Sequence, residues 1–120
     1  MKISHTLDDN ICILELDGDI LWAEAPNLPK YLDTVLETES VKGLVINLKQ
    51  VSAIDSGGIG AILSIQKHFA GLKYPCVLCH LSTRVRDIFH FTKLQDLFRV
   101  HSTVEDALAY ATLLQILQLR

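Results

Sequence analysis

The segment formed by residues 43–69 constrains the fold of this chain more than any other. It begins with an unbroken apolar run, Leu44-Val45-Ile46, which is typical of a buried strand. A loop ending in Asp55-Ser56-Gly57-Gly58 follows, and the residues after it have the apolar spacing of a helix. The sequence therefore predicts a buried strand, a loop and a helix, with a small polar cluster where the helix begins.

The rest of the chain alternates between strand and helix patterns. We predict strands at residues 3–7, 11–16, 43–48, 75–81 and 97–101. We predict helices at residues 27–38, at 58–70 with a stop at Gly71, from a cap at Ser82 or Thr83 to about residue 91, and from Thr103 onward. This order predicts an α/β fold. We expect one domain over residues 1–120, with a mostly parallel sheet of about five strands, an N-terminal antiparallel hairpin and about four helices.

Composition limits the classes of function. Hydrophobic residues make up 49% of the chain and charged residues 21%, which is typical of a globular protein. The net charge is -3 and there is no basic run, so we predict no direct binding to nucleic acid. No apolar stretch reaches the roughly 18 to 20 residues that span a bilayer, and the N-terminus lacks a signal-peptide pattern. We therefore predict a cytoplasmic protein without membrane insertion.

The three cysteines are Cys12, Cys76 and Cys79, and the last two form a C-x-x-C string. Such a string can be a redox pair or half of a metal site. Its β-branched and apolar neighbours favour a buried strand instead, which would place the two thiols on opposite faces. No second cysteine pair completes a tetrahedral site, so we predict free thiols and no metal.

The Asp55-Ser56-Gly57-Gly58 cluster suits a negatively charged group, because backbone N–H groups are unpaired at a helix start and the helix dipole is positive there. In the structural interpretation, Ser56 or Asp55 simply caps the helix. A nucleoside phosphate is a further candidate, but neither a Walker A string nor G-x-G-x-x-G is present. We predict no cofactor.

A catalytic serine is the enzyme interpretation of the same cluster. The G-x-S-x-G nucleophile elbow is absent, since Ile54 occupies the position of its first glycine. His68 lies twelve residues beyond Ser56, more than three helical turns away, and cannot act as its base from the same helix. We predict that the protein is not an enzyme.

The strand, the loop with Asp-Ser-x-Gly and the apolar helix resemble the STAS domain of bacterial anti-sigma factor antagonists. Gly18-Asp19-Ile20 is similar to the family's glycine, acidic and apolar residues at the end of the N-terminal strand pair. Residues 81–97 resemble its later strand and helix, with matching apolar positions at Val85, Ile88, Phe89 and Leu94. The resemblance covers residues 1–112.

This resemblance implies a protein-interaction module that is regulated by phosphorylation. Ser56 matches the family's acceptor serine, and an anti-sigma factor that is also a serine kinase would be the partner. Unmodified protein would capture this kinase and free a sigma factor, which is partner switching, and a phosphatase is a possible reset enzyme. We expect the docking surface to include Asp55 and Ile59, with Gly57 and Gly58 leaving room for another protein's backbone.

The chain departs from the family at two positions. Gly57 replaces a second hydroxyl residue, and Leu21, followed by Trp22, replaces an aspartate near Asp19. An exposed Leu21-Trp22 pair would add an apolar contact patch to the docking surface, together with Asp19; alternatively, Trp22 packs on the first helix.

Two further questions stay open at this point. STAS domains also occur in stressosomes and in transporters of lipid or sulfate, so the alternative function is a subunit of a lipid-transport or stressosome-type assembly without phosphotransfer. The apolar C-terminal run at residues 113–119 favours packing on the sheet, with homodimerisation as the alternative.

Overall fold

In residues 1–118, which the computed structural model describes, five strands form one sheet in their sequence order. The first pair is an antiparallel hairpin, and the remaining neighbours are parallel. The predicted α/β architecture is confirmed. The strands are β1 (Lys2–Asp8), β2 (Ile11–Asp17), β3 (Gly43–Gln50), β4 (Cys76–Cys79) and β5 (Arg99–His101).

Four α-helices connect the parallel strands or follow the last one, within the described residues. Ser82 caps the third helix by accepting from Val85 N at 3.2 Å, and Thr103 caps the fourth by accepting from Asp106 N at 3.1 Å. The helices are α1 (Asn27–Thr38), α2 (Ser56–Gly71), α3 (Thr83–Phe91) and α4 (Val104–Gln118), with a short 3₁₀ helix at Leu94–Leu97.

Alternation along the strands divides the core between the two faces of the sheet. In β3, Leu44 and Ile46 belong to the larger core, which α1, α2 and α3 cover. Val45 points to the opposite face, where Ala107 and Ala111 of α4 pack. A strand buried on both faces explains the continuous apolar run that dominates the sequence.

The predicted strands at residues 75–81 and 97–101 are too long. His80 has a left-handed φ of 57°, which takes the chain out of the extended conformation after Cys79. Residues 94–97 form the 3₁₀ helix, so β5 begins only at Arg99.

The prediction that the C-terminal run packs on the sheet is wrong for three of its four described large apolar side chains, while Leu114 is partly buried. Leu113, Ile116 and Leu117 are each about half exposed, at 54%, 55% and 49%. The helix instead packs through its small residues Ala107 and Ala111, which lie closer to its start. Leu119 lies outside the described residues.

The C-x-x-C string belongs to strand β4, as predicted. Cys76 packs against the larger core and Cys79 lies in the smaller one on the opposite face, and all three cysteines are free. Among residues 1–118, no cluster of three His, Cys, Asp or Glu side chains is arranged to hold a metal ion. None of the described helices is long and apolar enough to cross a membrane.

Candidate functional site

The candidate site is built from two loops at the carboxyl ends of neighbouring parallel strands. We call them the β2–α1 loop (residues 18–26) and the β3–α2 loop (residues 51–55). Backbone hydrogen bonds join them: Ile20 N donates to Ala53 O at 3.0 Å, and Asp55 N donates to Ile20 O at 3.4 Å. Because β2 and β3 are adjacent and parallel, both loops leave the same edge of the sheet, and the early Gly-Asp-Ile turn meets the Asp-Ser-x-Gly segment.

Asp55 is the N-cap of α2 and also tethers the β2–α1 loop. Its Oδ1 accepts from Gly58 N at 3.0 Å, and its Oδ2 accepts from Trp22 N at 2.9 Å. These hydrogen bonds stabilise the charged carboxylate, so the pKa of Asp55 lies below its ordinary value of 3.8. One side chain therefore fixes both the start of the helix and the position of the neighbouring loop.

Ser56 is the first residue of α2 and is exposed. The predicted helix start at Gly58 is two residues late. Of the two candidate caps, Asp55 occupies the cap position and Ser56 does not. Within the described part of the chain, the Ser56 hydroxyl makes no side-chain hydrogen bond. A hydroxyl that is exposed and uninvolved in the fold is accessible to a modifying enzyme.

Gly57 and Gly58 have a different role from the one that we expected. A Cβ on Gly58 would lie 2.1 Å from Ile20 O, and a Cβ on Gly57 would lie 2.6 Å from Trp22 Cα. The space that the glycines provide is therefore filled by this chain's own β2–α1 loop rather than left open for a partner. Gly58 is buried, and Gly57 is partly exposed.

Trp22 does not pack on the first helix. Its side chain is 74% exposed, and the adjacent Leu21 is 41% exposed. The structure thus favours the exposed apolar patch over the packed alternative. Large exposed aromatic side chains of this kind are over-represented in protein–protein interfaces.

Asp19 and Ile59, the remaining predicted site residues, differ in how far they are exposed. Asp19 is exposed, and its Oδ1 accepts from Ala53 N at 3.1 Å, so it also holds the two loops together. Ile59 is half-buried and packs against the larger core. Ile20 and Ala53, which were not among the predicted site residues, join the loops through main-chain atoms, and residue types do not reveal such contacts.

Three of the five histidines have partners elsewhere. His5 is hydrogen-bonded to Tyr31 at 2.6 Å, His90 to Gln95 at 2.8 Å, and His101 accepts from Arg99 Nε at 3.2 Å. A serine nucleophile needs a base within hydrogen-bond reach. The surface around Ser56 presents an exposed serine, the carboxylates of Asp19 and Asp55 and the apolar patch of Leu21 and Trp22.

A family model and a relative from Staphylococcus aureus match most of this chain. The family model described as the STAS domain matches residues 2–107. The anti-sigma-B factor antagonist of Staphylococcus aureus is 25% identical over 105 residues, which are 88% of this chain and 96% of that protein.

Two solved structures are similar over nearly the whole chain. The anti-sigma factor antagonist SpoIIAA in its unphosphorylated form has a TM-score of 0.74 at 19% identity, over 89% of this chain and 93% of that one. At that identity the similarity shows the fold. A sulfate transporter family protein from Wolinella succinogenes has a TM-score of 0.74 at 27% identity, over 91% of this chain and 90% of that one.

Proposed function

Since the chain belongs to the STAS domain family, we propose that it is a cytoplasmic regulatory module that binds an anti-sigma factor kinase and is switched by phosphorylation of Ser56. Its curated relatives are anti-sigma factor antagonists that it matches over nearly their whole length, which supports this type of function. The proposed activity is binding, and the chain itself performs no chemistry.

The observation that carries the proposal is the position of Ser56. Its hydroxyl is exposed on the first turn of α2, directly beside the Asp55 cap and the tethered Trp22. Because the Trp22 backbone is tethered to the residue that precedes Ser56, a partner that contacts Leu21 and Trp22 docks close to Ser56. A phosphate at this position falls within the contact area rather than at a remote point.

Phosphorylation would act by charge. It adds a charge of about -1.5 to -2 at pH 7, directly after Asp55 in the chain. The exposed Asp19, which accepts from Ala53 N, belongs to the same pair of joined elements. Asp55 already accepts from Gly58 N, so one helix-start donor is not available to the phosphate. The added charge must be desolvated when a partner docks, and a penalty of about 3 kcal/mol weakens binding more than a hundredfold.

Partner switching follows from the difference in kinase binding between the unmodified and the phosphorylated chain. The unmodified chain captures the kinase through the loop surface and frees a sigma factor. The phosphorylated chain releases the kinase, and a phosphatase returns it to the binding form. The docking surface in this proposal comprises Asp19, Leu21, Trp22, Asp55, Gly57 and Ile59, with the buried Gly58 supporting it from below.

The test is a set of matched variants with the anti-sigma kinase of the same organism. Ser56→Asp is expected to weaken kinase binding at least about tenfold, while Ser56→Ala keeps the binding and prevents ³²P transfer from ATP. Ser64→Asp is the control, because Ser64 is an exposed serine on the same helix. Equal affinity for all three variants would refute the switch.

The similarity to the Wolinella sulfate transporter family protein favours a second candidate, a subunit of a transport or stressosome-type assembly without phosphotransfer. Intact-mass analysis of protein purified from its own cells separates the two. A phosphate on Ser56 with a bound anti-sigma kinase supports the switch. An unmodified chain that co-purifies with membrane ATPase subunits supports the assembly.

A further inference from the structure

The outward side of α4 is an apolar surface that no other part of residues 1–118 covers, and we call it the α4 face. Leu113, Ile116 and Leu117 are each about half exposed on it, while the helix packs on the sheet through Ala107 and Ala111. A shallow groove runs along the α4 face and is lined by Glu105, Leu108, Ala109, Thr112, Leu113 and Ile116. Contiguous apolar surface of this kind marks a contact with another protein.

The α4 face has the residue spacing through which helices pair. Ala109, Leu113 and Ile116 are separated by four and then three residues, so they form one row along the helix. Two helices that pack along each other do so through rows with this spacing. Residues 107–118 contain no charged side chain, so the row can be buried without removing a charge from water. The α4 face therefore fits another helix with a similar apolar row.

The two ends of the α4 face carry opposite charges. Glu105 and Asp106 lie in the first turn of the helix. Lys42 and Lys73 lie beside its last turns, where they line a concave surface together with Gln115. Within residues 1–118, none of these four charged side chains forms an ion pair within 4.0 Å. The acidic start and the basic end are therefore both available to charges on a partner.

A second copy of this chain has the matching surface. A two-fold axis that lies between two α4 helices and perpendicular to them makes the helices antiparallel, and it keeps each flank of one helix on the same side as that flank of the other. One flank of α4 is formed by residues at intervals of three and four, namely Glu105, Leu108, Thr112 and Gln115. The acidic start of each copy therefore lies over the basic end of the other. A parallel pair would bring the two acidic starts together, and like charges repel.

We propose that the protein forms a symmetric homodimer in which the α4 helices of two copies pack antiparallel through the α4 face. Leu113 lies near the two-fold axis against its counterpart, Ala109 lies opposite Ile116, and the acidic start of each helix reaches Lys73 of the other copy. One helix from each copy is a small contact, so we expect a Kd of about 10–100 µM. Ser56 belongs to α2, which packs on the other face of the sheet, so the dimer is independent of the proposed switch.

Sedimentation equilibrium over a range of concentrations measures the association. We expect the average mass of the parent to rise with concentration from 13.4 kDa toward twice that value. Leu113→Glu should weaken the association at least about a hundredfold, because it buries two facing carboxylates without partners. Leu97→Glu is the matched control, since Leu97 is also about half exposed but lies in the 3₁₀ helix and not in the α4 groove. Ser56→Asp should associate like the parent.

An exchange of charges tests the antiparallel arrangement. Glu105→Lys and Lys73→Glu should each weaken the association about tenfold at low salt, since each change occurs twice in a symmetric dimer. The double variant Glu105→Lys/Lys73→Glu should recover most of this loss, because opposite charges again face each other. Glu37→Lys is the control for net charge, as Glu37 is exposed on α1 and should leave the association unchanged.

Three results would overturn the proposal. The first is a folded parent that stays monomeric up to about 1 mM, which would leave the α4 face to a different partner. The second is a dimer that Leu113→Glu weakens no more than Leu97→Glu does, which would place the contact elsewhere. The third is a double charge variant that associates no better than the single ones, which would exclude the antiparallel pair. Circular dichroism confirms the folding of each variant, and Ile116→Glu provides a second variant in the same row.

Discussion

Asp55 and Trp22 are 33 positions apart in the sequence, yet the Asp55 carboxylate accepts a hydrogen bond from the Trp22 backbone N–H at 2.9 Å. The same carboxylate caps α2 through Gly58. The backbone position of the exposed Trp22 is therefore set by the residue that precedes Ser56. Any change at Asp55 affects both the helix that carries Ser56 and the apolar patch beside it.

The close approach of the two loops predicts that Gly58 cannot be replaced. In Gly58→Ala, the new Cβ would lie 2.1 Å from Ile20 O and 2.7 Å from Ile54 Cγ1, so the backbone of the β2–α1 loop must move. We expect a loss of about 1–3 kcal/mol in the free energy of unfolding, the range for overpacking. Urea denaturation measures it.

Gly60→Ala is the matched control on the same helix. Nothing lies within 4 Å of a Cβ built on Gly60, and alanine favours a helix interior over glycine. This variant should be more stable by about 0.5–1 kcal/mol. If Gly58→Ala were as stable as Gly60→Ala, the packing of α2 on Ile20 would be wrong.

The hydrogen bonds of Asp55 predict a dependence of stability on pH. The hydrogen bonds from Gly58 and Trp22 lower the pKa of Asp55 in the folded state below the ordinary value of 3.8. A carboxylate whose pKa is lower in the folded than in the unfolded protein stabilises the fold fully at pH values above its unfolded-state pKa. This stabilisation is lost as the pH falls through its folded-state pKa. The difference in unfolding free energy between the parent and Asp55→Ala should therefore be constant from about pH 7 to 5 and shrink below about pH 4.

Urea unfolding of both proteins at several pH values in this range measures that difference, in which the other titrating groups cancel. Asp55→Asn offers an intermediate case, because its amide keeps one acceptor oxygen for the Gly58 N–H. A difference that remained unchanged down to pH 3 would contradict the carboxylate as the cap.

Trp22 provides a direct signal for partner docking, because it is the only tryptophan in the chain and is 74% exposed. Free protein should emit like solvent-exposed tryptophan, and binding of the kinase should shift the emission to the blue. We expect Trp22→Ala to weaken kinase binding by about 2 kcal/mol, as for interface hot spots, with stability within about 0.5 kcal/mol of the parent.

Phe91→Ala is the control for this loss of aromatic surface. Phe91 is 89% exposed at the end of α3, and it lies on neither site loop. Its replacement should leave kinase binding unchanged. An unshifted emission spectrum in a saturated complex would show that the kinase docks elsewhere.

The thiols should be unreactive in the folded protein. Burial raises the pKa of Cys12 to about 11, of Cys76 to about 12 and of Cys79 to about 11, the last with a contribution from Glu105. Since the thiolate is the nucleophile, iodoacetamide at about pH 8 should label all three slowly in native protein and rapidly in urea. Rapid native labelling, or a Cys76–Cys79 disulfide after mild oxidation, would contradict the strand placement.

Much of the fold could be predicted because apolar periodicity reports burial directly. Leu44-Val45-Ile46 indicated a strand covered on both faces, and the alternation of strand and helix patterns indicated a parallel sheet. The errors occurred at ends of elements. His80 ends β4 through a left-handed backbone conformation, which is uncommon for residues other than glycine and was not predicted from the sequence.

At the site, residue types were informative only in part. The polar cluster at residues 55–58 was evident, but the assignment of the cap to Asp55 depends on which oxygen faces Gly58 N. The role of the glycines depends on the approach of Ile20 and Trp22, which are distant in sequence. Leu113, Ile116 and Leu117 were assigned to the sheet because their hydropathy does not reveal that Ala107 and Ala111 form the contact of this helix with the sheet.

The placement of Ser56 on α2 and of Trp22 on the β2–α1 loop has an evolutionary consequence for the proposed switch. Substitutions at Leu21 and Trp22 can alter which partner is recognised without changing the helix start that receives the phosphate, because only the backbone N–H of Trp22 is tethered to Asp55. Duplicated genes could thus diverge in partner choice while keeping the same modification chemistry. Such divergence would keep related signalling proteins in one cell from binding each other's partners.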